Sequence, residues 1–170
     1  MTFRLALAAL LLTAGAAAAQ EAPPCAPSDL ADVREEFAEG FGDFRKAQGL
    51  PVLSTNDMVQ TAAQTFACEI AATGRLDHEA PDGARAGVRL WRAGYDWCRV
   101  GEILAVGQDD AEAVLEAWKA SPPHRQNLAL DQVAEYGLGL AYGDKDDFPQ
   151  FKTTRKGSPV WVLMVTRLCP

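Results

Sequence analysis

Three side chains carry most of the chemical potential of this 170-residue chain: His78, His124 and Glu102. His78 lies in the polar stretch GRLDHEAPDG (74–83), and His124 follows Ser121-Pro122-Pro123. Neutral imidazole can take a proton near physiological pH or ligate a metal. The carboxylates that could work with them are Glu79, Glu102 and Glu135. Glu102 is set apart by its neighbours, because it interrupts the apolar run VGEILAV (100–106). A carboxylate there requires a partner or water, and a protonated histidine or a metal ion would serve. A lone histidine, however, is more often a surface or hydrogen-bonding residue than a ligand.

Several catalytic templates are absent. HEAPD (78–82) lacks the second histidine one helical turn away that zinc proteases use. No G-x-S-x-G elbow occurs. Ser121 is near His124 in sequence, but spacing alone supplies neither a base within reach nor a third orienting group. Gly137-Leu138-Gly139 sits inside a strand pattern, where glycines mark a bulge or close packing rather than a nucleotide loop. Trp91, Trp97, Trp118 and Trp161 fall mostly at apolar, periodic positions and read as core, with an aromatic pair lining a groove as the alternative.

The elements that must position these residues follow from periodicity. A helix is expected over 29–47, with Ser28 or Asp29 as its N-cap, and a second over about 55–73, closed by Gly74. A short helix follows at 84–93, with Val88 and Trp91 on one face, then a strand at 100–106 carrying Glu102. Asp109 or Asp110 caps a helix to about 119, and a further short helix runs to about Leu128. Strands are expected at 133–142 and 160–168, joined by a long hairpin loop at 143–158. Helices early and strands late predict an α+β fold with helices against an antiparallel sheet.

Residues 1–19 read as a signal peptide: Arg4, the apolar run from Leu5, and Ala17-Ala18-Ala19, with cleavage expected before Gln20. The run is shorter than the roughly 20 residues that span a bilayer. The expected organisation is signal peptide 1–19, an extended Pro-rich segment 20–28 and one domain 29–170, secreted or periplasmic and monomeric. The net charge of −7 becomes one unit more negative when Arg4 leaves, and with no basic cluster this excludes nucleic acid as a partner. Cys25, Cys68, Cys98 and Cys169 form an even set in an exported chain, which predicts two disulfides. Spacing does not choose among the three pairings; Cys68–Cys98 with Cys25–Cys169 is the expectation adopted. No two cysteines have the C-x-x-C spacing of a zinc site.

The motifs L-D-H (76–78), P-D-G (81–83), R-x-G-Y (92–95), G-E-I-L-A (101–105), W-K-A-S-P-P-H-R-Q-N-L (118–128), A-E-Y-G-L-G (134–139) and V-W-V (160–162) occur in that order. Together they resemble the CAP superfamily, the cysteine-rich secretory protein, antigen 5 and pathogenesis-related type, also called the SCP domain. The resemblance covers about residues 37–168 and implies a three-layer α-β-α sandwich with a central antiparallel sheet and an open cleft. It places His78 and His124 on the two family histidines and Glu102 on the acidic residue of the family's G-E-N segment. Such clefts can bind a divalent metal, commonly zinc, and two histidines with one carboxylate make a three-ligand site open to water. Three departures stand out: Ile103 replaces the asparagine of G-E-N, Ser121 stands where eukaryotic members place a second glutamate, and Asp77 replaces a serine. Asp77 or Glu135 could supply the missing charge.

The resemblance allows three functions. The first is a binding module for a small apolar or envelope ligand, since family members bind sterols and fatty acids. The second is a metal-dependent, protease-like hydrolase, with zinc-bound water and Glu102 as general base. The third is a non-catalytic domain for envelope or host contact. The chain has no complete catalytic template of its own, which favours binding over catalysis.

Overall fold

A computed structural model describes residues 25–143, 148 and 157–170. The expected signal peptide, the first part of the extended segment and most of the 143–158 loop lie outside the described residues. The elements are α1 (Leu30–Ala47), β1 (Ser54–Thr55), α2 (Asp57–Thr73), α3 (Ala86–Arg92), β2 (Trp97–Val106), α4 (Ala111–Ala120), α5 (Pro122–Leu128), β3 (Glu135–Tyr142) and β4 (Pro159–Leu168).

Capping fixes several of these boundaries. Asn56 accepts from the backbone N–H groups of Met58 and Val59 and starts α2. Asp110 accepts from Ala113 N–H and starts α4. Gly74 ends α2 with φ of 67°, a left-handed conformation that glycine adopts without steric cost. Ser121 closes α4, and the two prolines after it fit the first turn of α5, where no intrahelical donor is needed.

The sheet order is β1-β3-β4-β2. β4 pairs antiparallel with both β2 and β3, as expected. The two-residue β1 adds a parallel edge beside β3, so the sheet is mixed. So short a strand leaves no period-two signature, which is why the sequence does not reveal it. β2 also begins earlier than the apolar run predicts, at Trp97, through pairing with the end of β4.

Strand alternation divides the core between the two faces. Ile103, Tyr136, Leu138, Leu140, Trp161 and Leu163 pack with α1, α4 and α5, together with Phe37, Phe41 and Trp118. Leu104, Val106, Val160, Val162 and Met164 face the other way, toward α2 and α3. The result is three layers, helix, sheet and helix. A Cβ on Gly137 would stand 2.4 Å from the Val59 carbonyl carbon, and one on Gly139 2.3 Å from Ala63 O, so β3 packs directly against the backbone of α2. Of the two readings of Gly137 and Gly139, close packing is the one observed.

The disulfides correct the expected pairing. Cys25 bonds to Cys68, with Cα atoms 5.7 Å apart, and Cys98 bonds to Cys169, at 4.8 Å. The reason is local: the register of β2 with β4 shifts between Trp97 and Arg99, leaving Cys98 outside the ladder, and Cys169 N–H bonds to Asp96 O at 3.0 Å, which brings Cys169 back to the start of β2. Cys68, on α2, is then left to the N-terminal segment. The tryptophans also divide. Trp118 and Trp161 are buried core residues, whereas Trp91 is 70% exposed and Trp97 37%. The side of α3 that turns inward carries Arg89 and Leu90, not Val88 and Trp91.

Candidate functional site

Glu102 lies on β2 opposite Met164, so alternation turns it toward the α2/α3 layer. Its side chain is only 5% exposed, and both carboxylate oxygens are engaged. Oε1 lies 2.9 Å from His78 Nδ1. Oε2 accepts from Arg89 Nη2 of α3. Arg89 is itself 7% exposed, so the two form a buried ion pair of the kind that is costly to break from one side.

Arg89 also holds the loop that carries His78. Both Nη atoms donate to the His78 carbonyl at 3.3 Å, and Nη1 donates to the Ala84 carbonyl. Its guanidinium stacks on Phe66 of α2, 3.5 Å from the ring centroid. One arginine therefore fixes the carboxylate, the loop backbone and, through Glu102, the imidazole. With Nδ1–H donating to Glu102, the neutral ring of His78 keeps Nε2 as a free acceptor. The His78 side chain is 55% exposed, so a ligand can reach it.

His124 comes from the opposite helical layer, on α5. That helix is held at its end by the buried Arg45 of α1, which donates to the carbonyls of Leu128 at 2.8 Å and Leu130 at 3.1 Å. It rests on edge strand β2 where Gly101 leaves room: a Cβ there would lie 2.8 Å from Asn127 Oδ1. Asn127 Nδ2 in turn reaches the Glu102 carbonyl at 3.5 Å. His124 lies three residues before Asn127, about one helical turn away. Burial, and then the charge of nearby His78, lower the His124 pKa below its ordinary value, which favours the neutral imidazole.

The remaining candidates sit elsewhere. Asp77 pairs with Arg75 at 2.7 Å and accepts from Glu79 N–H, and these contacts hold its carboxyl below the usual range. Glu79 pairs with Arg85. Glu135, at the start of β3, accepts from Asn56 Nδ2 at 2.9 Å and from the Tyr95 hydroxyl; burial and then this bond raise the Tyr95 pKa. Neither Asp77 nor Glu135 joins Glu102. Ser121 is the cap residue between α4 and α5, and its carbonyl accepts from Arg125 N–H at 2.8 Å.

Zinc or another divalent ion held by His78 and His124 would need Glu102 or another group as third donor. In that role Glu102 would have to share oxygens already engaged by Arg89 and His78. Among the described residues no three His, Cys, Asp or Glu side chains are grouped to hold an ion. The donors present therefore do not fit a three-ligand metal site in this arrangement. Arg89 is the residue that sequence reasoning missed. The need for a partner to Glu102 was legible, but nothing in AGVRLWR distinguishes Arg89 from the exposed Arg92 three residues later.

Comparisons with known proteins agree with this architecture. The Bacillus subtilis (strain 168) protein YkwD is 25% identical over 114 residues, which are 67% of this chain and 44% of YkwD. The chain thus spans less than half the length of that relative. An outer surface protein of Borrelia burgdorferi superposes with a TM-score of 0.68 at 17% identity, covering 81% of this chain and 94% of its own. An extracellular SCP-domain protein of Bacillus anthracis str. Ames gives a TM-score of 0.63 at 22% identity, covering 78% of this chain and 39% of its own. At those identities the two structures speak for the fold alone. The profile of the Cysteine-rich secretory protein family matches residues 40–164, which places the chain in the CAP family.

Proposed function

We propose that this protein is an exported binding module, whose cleft at the β2 edge takes a small envelope ligand through the imidazoles of His78 and His124. The observation that carries this reading is the double engagement of Glu102. With one oxygen on Arg89, the other on His78 and only 5% of its side chain exposed, Glu102 is tied into the protein rather than presented to water as a general base. Its role is to hold His78, with Nε2 turned to the ligand. The imidazole nitrogens of His78 and His124 suit the hydroxyl or amide end of a largely apolar molecule. Export is supported by the N-terminal signal pattern and by the extracellular relative, and no helix among the described residues is long and apolar enough to cross a membrane.

The test is native mass spectrometry of the oxidised domain after incubation with an envelope lipid extract. The comparison is with the His78→Ala/His124→Ala variant. A ligand retained by the native domain and lost from the variant is the expected result. Equal retention, or none by either protein, overturns the cleft assignment. Zinc titration by calorimetry on the same pair tests the metal-hydrolase alternative: saturable one-site binding that the variant loses would favour it.

A further inference from the structure

A groove of about 880 Å³ lies between α1 and α4, with Arg125 of α5 also in its wall. The two helices touch within it: a Cβ on Gly40 would stand 2.9 Å from Leu115 Cδ2. Phe44, Ala47 and Ala120 supply further apolar lining. The lining residues of α1 run from Glu36 to Gln48, a length of about 18 Å at about 1.5 Å per residue. The walls are acidic. Glu36, Glu39 and Asp43 of α1 and Glu112 and Glu116 of α4 all line the groove, and all five are exposed. Against them stand Lys119 and Arg125, which leaves a net charge of −3. Asp43 is paired with Lys46 and Glu116 with Lys119. Glu36, Glu39 and Glu112 have no ion pair among the described residues. Glu36 and Glu39 stand three residues apart on one helix, where like charges repel. Nowhere among the described residues are three such side chains grouped to hold a metal ion. The charge is spread along both walls and suits an extended cation rather than a compact one.

We propose that this groove docks a basic amphipathic helix of a partner protein, about three turns long. Its apolar stripe would lie along the seam where Gly40 meets Leu115, with lysines or arginines reaching the carboxylates of α1 and α4. Charge complementarity identifies this occupant, because the three unpaired carboxylates repel an anionic amphiphile and attract a basic one. The apolar lining asks for a stripe of side chains and not for charge alone. A helix fits better than a strand. The walls are themselves helices and offer no open backbone edge, so the N–H and C=O groups of a strand would go unpaired, whereas a helix satisfies its own. Three turns span about 16 Å, within the length of the groove. None of the lining residues belongs to the imidazole cleft.

The probe is a labelled, end-capped peptide of about four turns, with leucines at i, i+3, i+4 and i+7 spacing and lysines on both flanks. One control replaces every lysine with glutamate, and another scrambles the same composition. Fluorescence anisotropy with the oxidised protein should show saturable binding of the lysine peptide that weakens as salt is raised. The variant Glu36→Gln/Glu39→Gln/Glu112→Gln should bind it about tenfold or more weakly. Ala47→Trp, which fills the groove at an exposed position and leaves its charge, should weaken it as well. Circular dichroism should show both variants folded. No saturable binding, equal binding of the glutamate or the scrambled peptide, or an unchanged affinity in either variant would overturn the proposal. So would self-association of the free protein that the triple variant abolishes, since that would assign the groove to a second copy of the chain.

Discussion

The two faces of the sheet are packed by different means. Toward α1, α4 and α5 the core is aromatic: Phe37 meets Phe41 at 5.5 Å and Trp118 at 6.0 Å between ring centroids, and Phe41 meets Tyr136 at 5.4 Å. Toward α2 and α3 it mixes many alanines with aliphatic side chains and the rings of Phe66 and Tyr95, and two strand glycines admit a helix backbone. Only this second face holds the Arg89–Glu102 pair. On the first face the rings fill the space, and the buried charge of Arg45 is met by the backbone carbonyls of Pro51, Leu128 and Leu130 rather than by a carboxylate. Small residues bring backbones close and leave room for a charged network, which must then be satisfied in full. The candidate chemistry sits where tight approach and buried charge coincide.

The largest effect that separates the faces should come from Arg89→Met. It leaves Glu102 buried without its cation, and a loss of about 3–5 kcal/mol in denaturant unfolding is expected. The double variant Arg89→Met/Glu102→Met should recover most of that loss. If the single variant proves nearly neutral, the pair is not the organising contact of its face. On the aromatic side, Phe41→Ala should cost about 3–5 kcal/mol through cavity formation alone, and should leave the tautomer of His78 unchanged.

A smaller loss is expected from Gly139→Ala. Its added methyl meets the α2 backbone and should cost about 1–3 kcal/mol, although alanine is ordinarily benign in a strand. Wild-type stability in that variant would mean α2 can shift away from the sheet at no cost. Opening the Cys98–Cys169 bridge with a Cys98→Ser/Cys169→Ser pair should cost about 2–4 kcal/mol, since it closes a loop of 71 residues. Peptide mapping of the oxidised protein should recover Cys98 with Cys169, and a Cys68–Cys98 peptide would contradict the observed register.

The smallest effect is a pH dependence. The pKa of His124 is lowered on folding from its ordinary 6.5, so the unfolded chain takes up this proton first. Stability from this group is therefore full above about pH 6.5 and declines as pH falls toward the folded value. The variant His124→Gln should flatten that part of the stability profile, read from denaturation midpoints between about pH 7.5 and 5. An unchanged slope would show that His124 is not desolvated.

Much of this architecture was legible in the sequence. The 3.6-residue pattern of α1 and α2, the caps at Asp109 or Asp110 and at Gly74, and the long apolar strands β3 and β4 placed most elements within a few residues. That Glu102 needs a partner was legible, because a carboxylate in an apolar strand demands one, but only the family resemblance set His78 in the same cleft. Tertiary facts were not. The two-residue β1 has no period, and the cysteine pairing depends on the register of β2 with β4. The inward turn of α3 depends on Glu102, which lies thirteen residues from Arg89 and carries no local signal of it.

The most direct test of the account is the protonation of neutral His78, read at about pH 8 from ¹⁵N shifts in long-range ¹H–¹⁵N spectra. The account predicts the Nδ1–H tautomer, held by Glu102, and its loss toward a mixed population in Glu102→Ala. A predominant Nε2–H tautomer in the native protein, unmoved by that substitution, would contradict it.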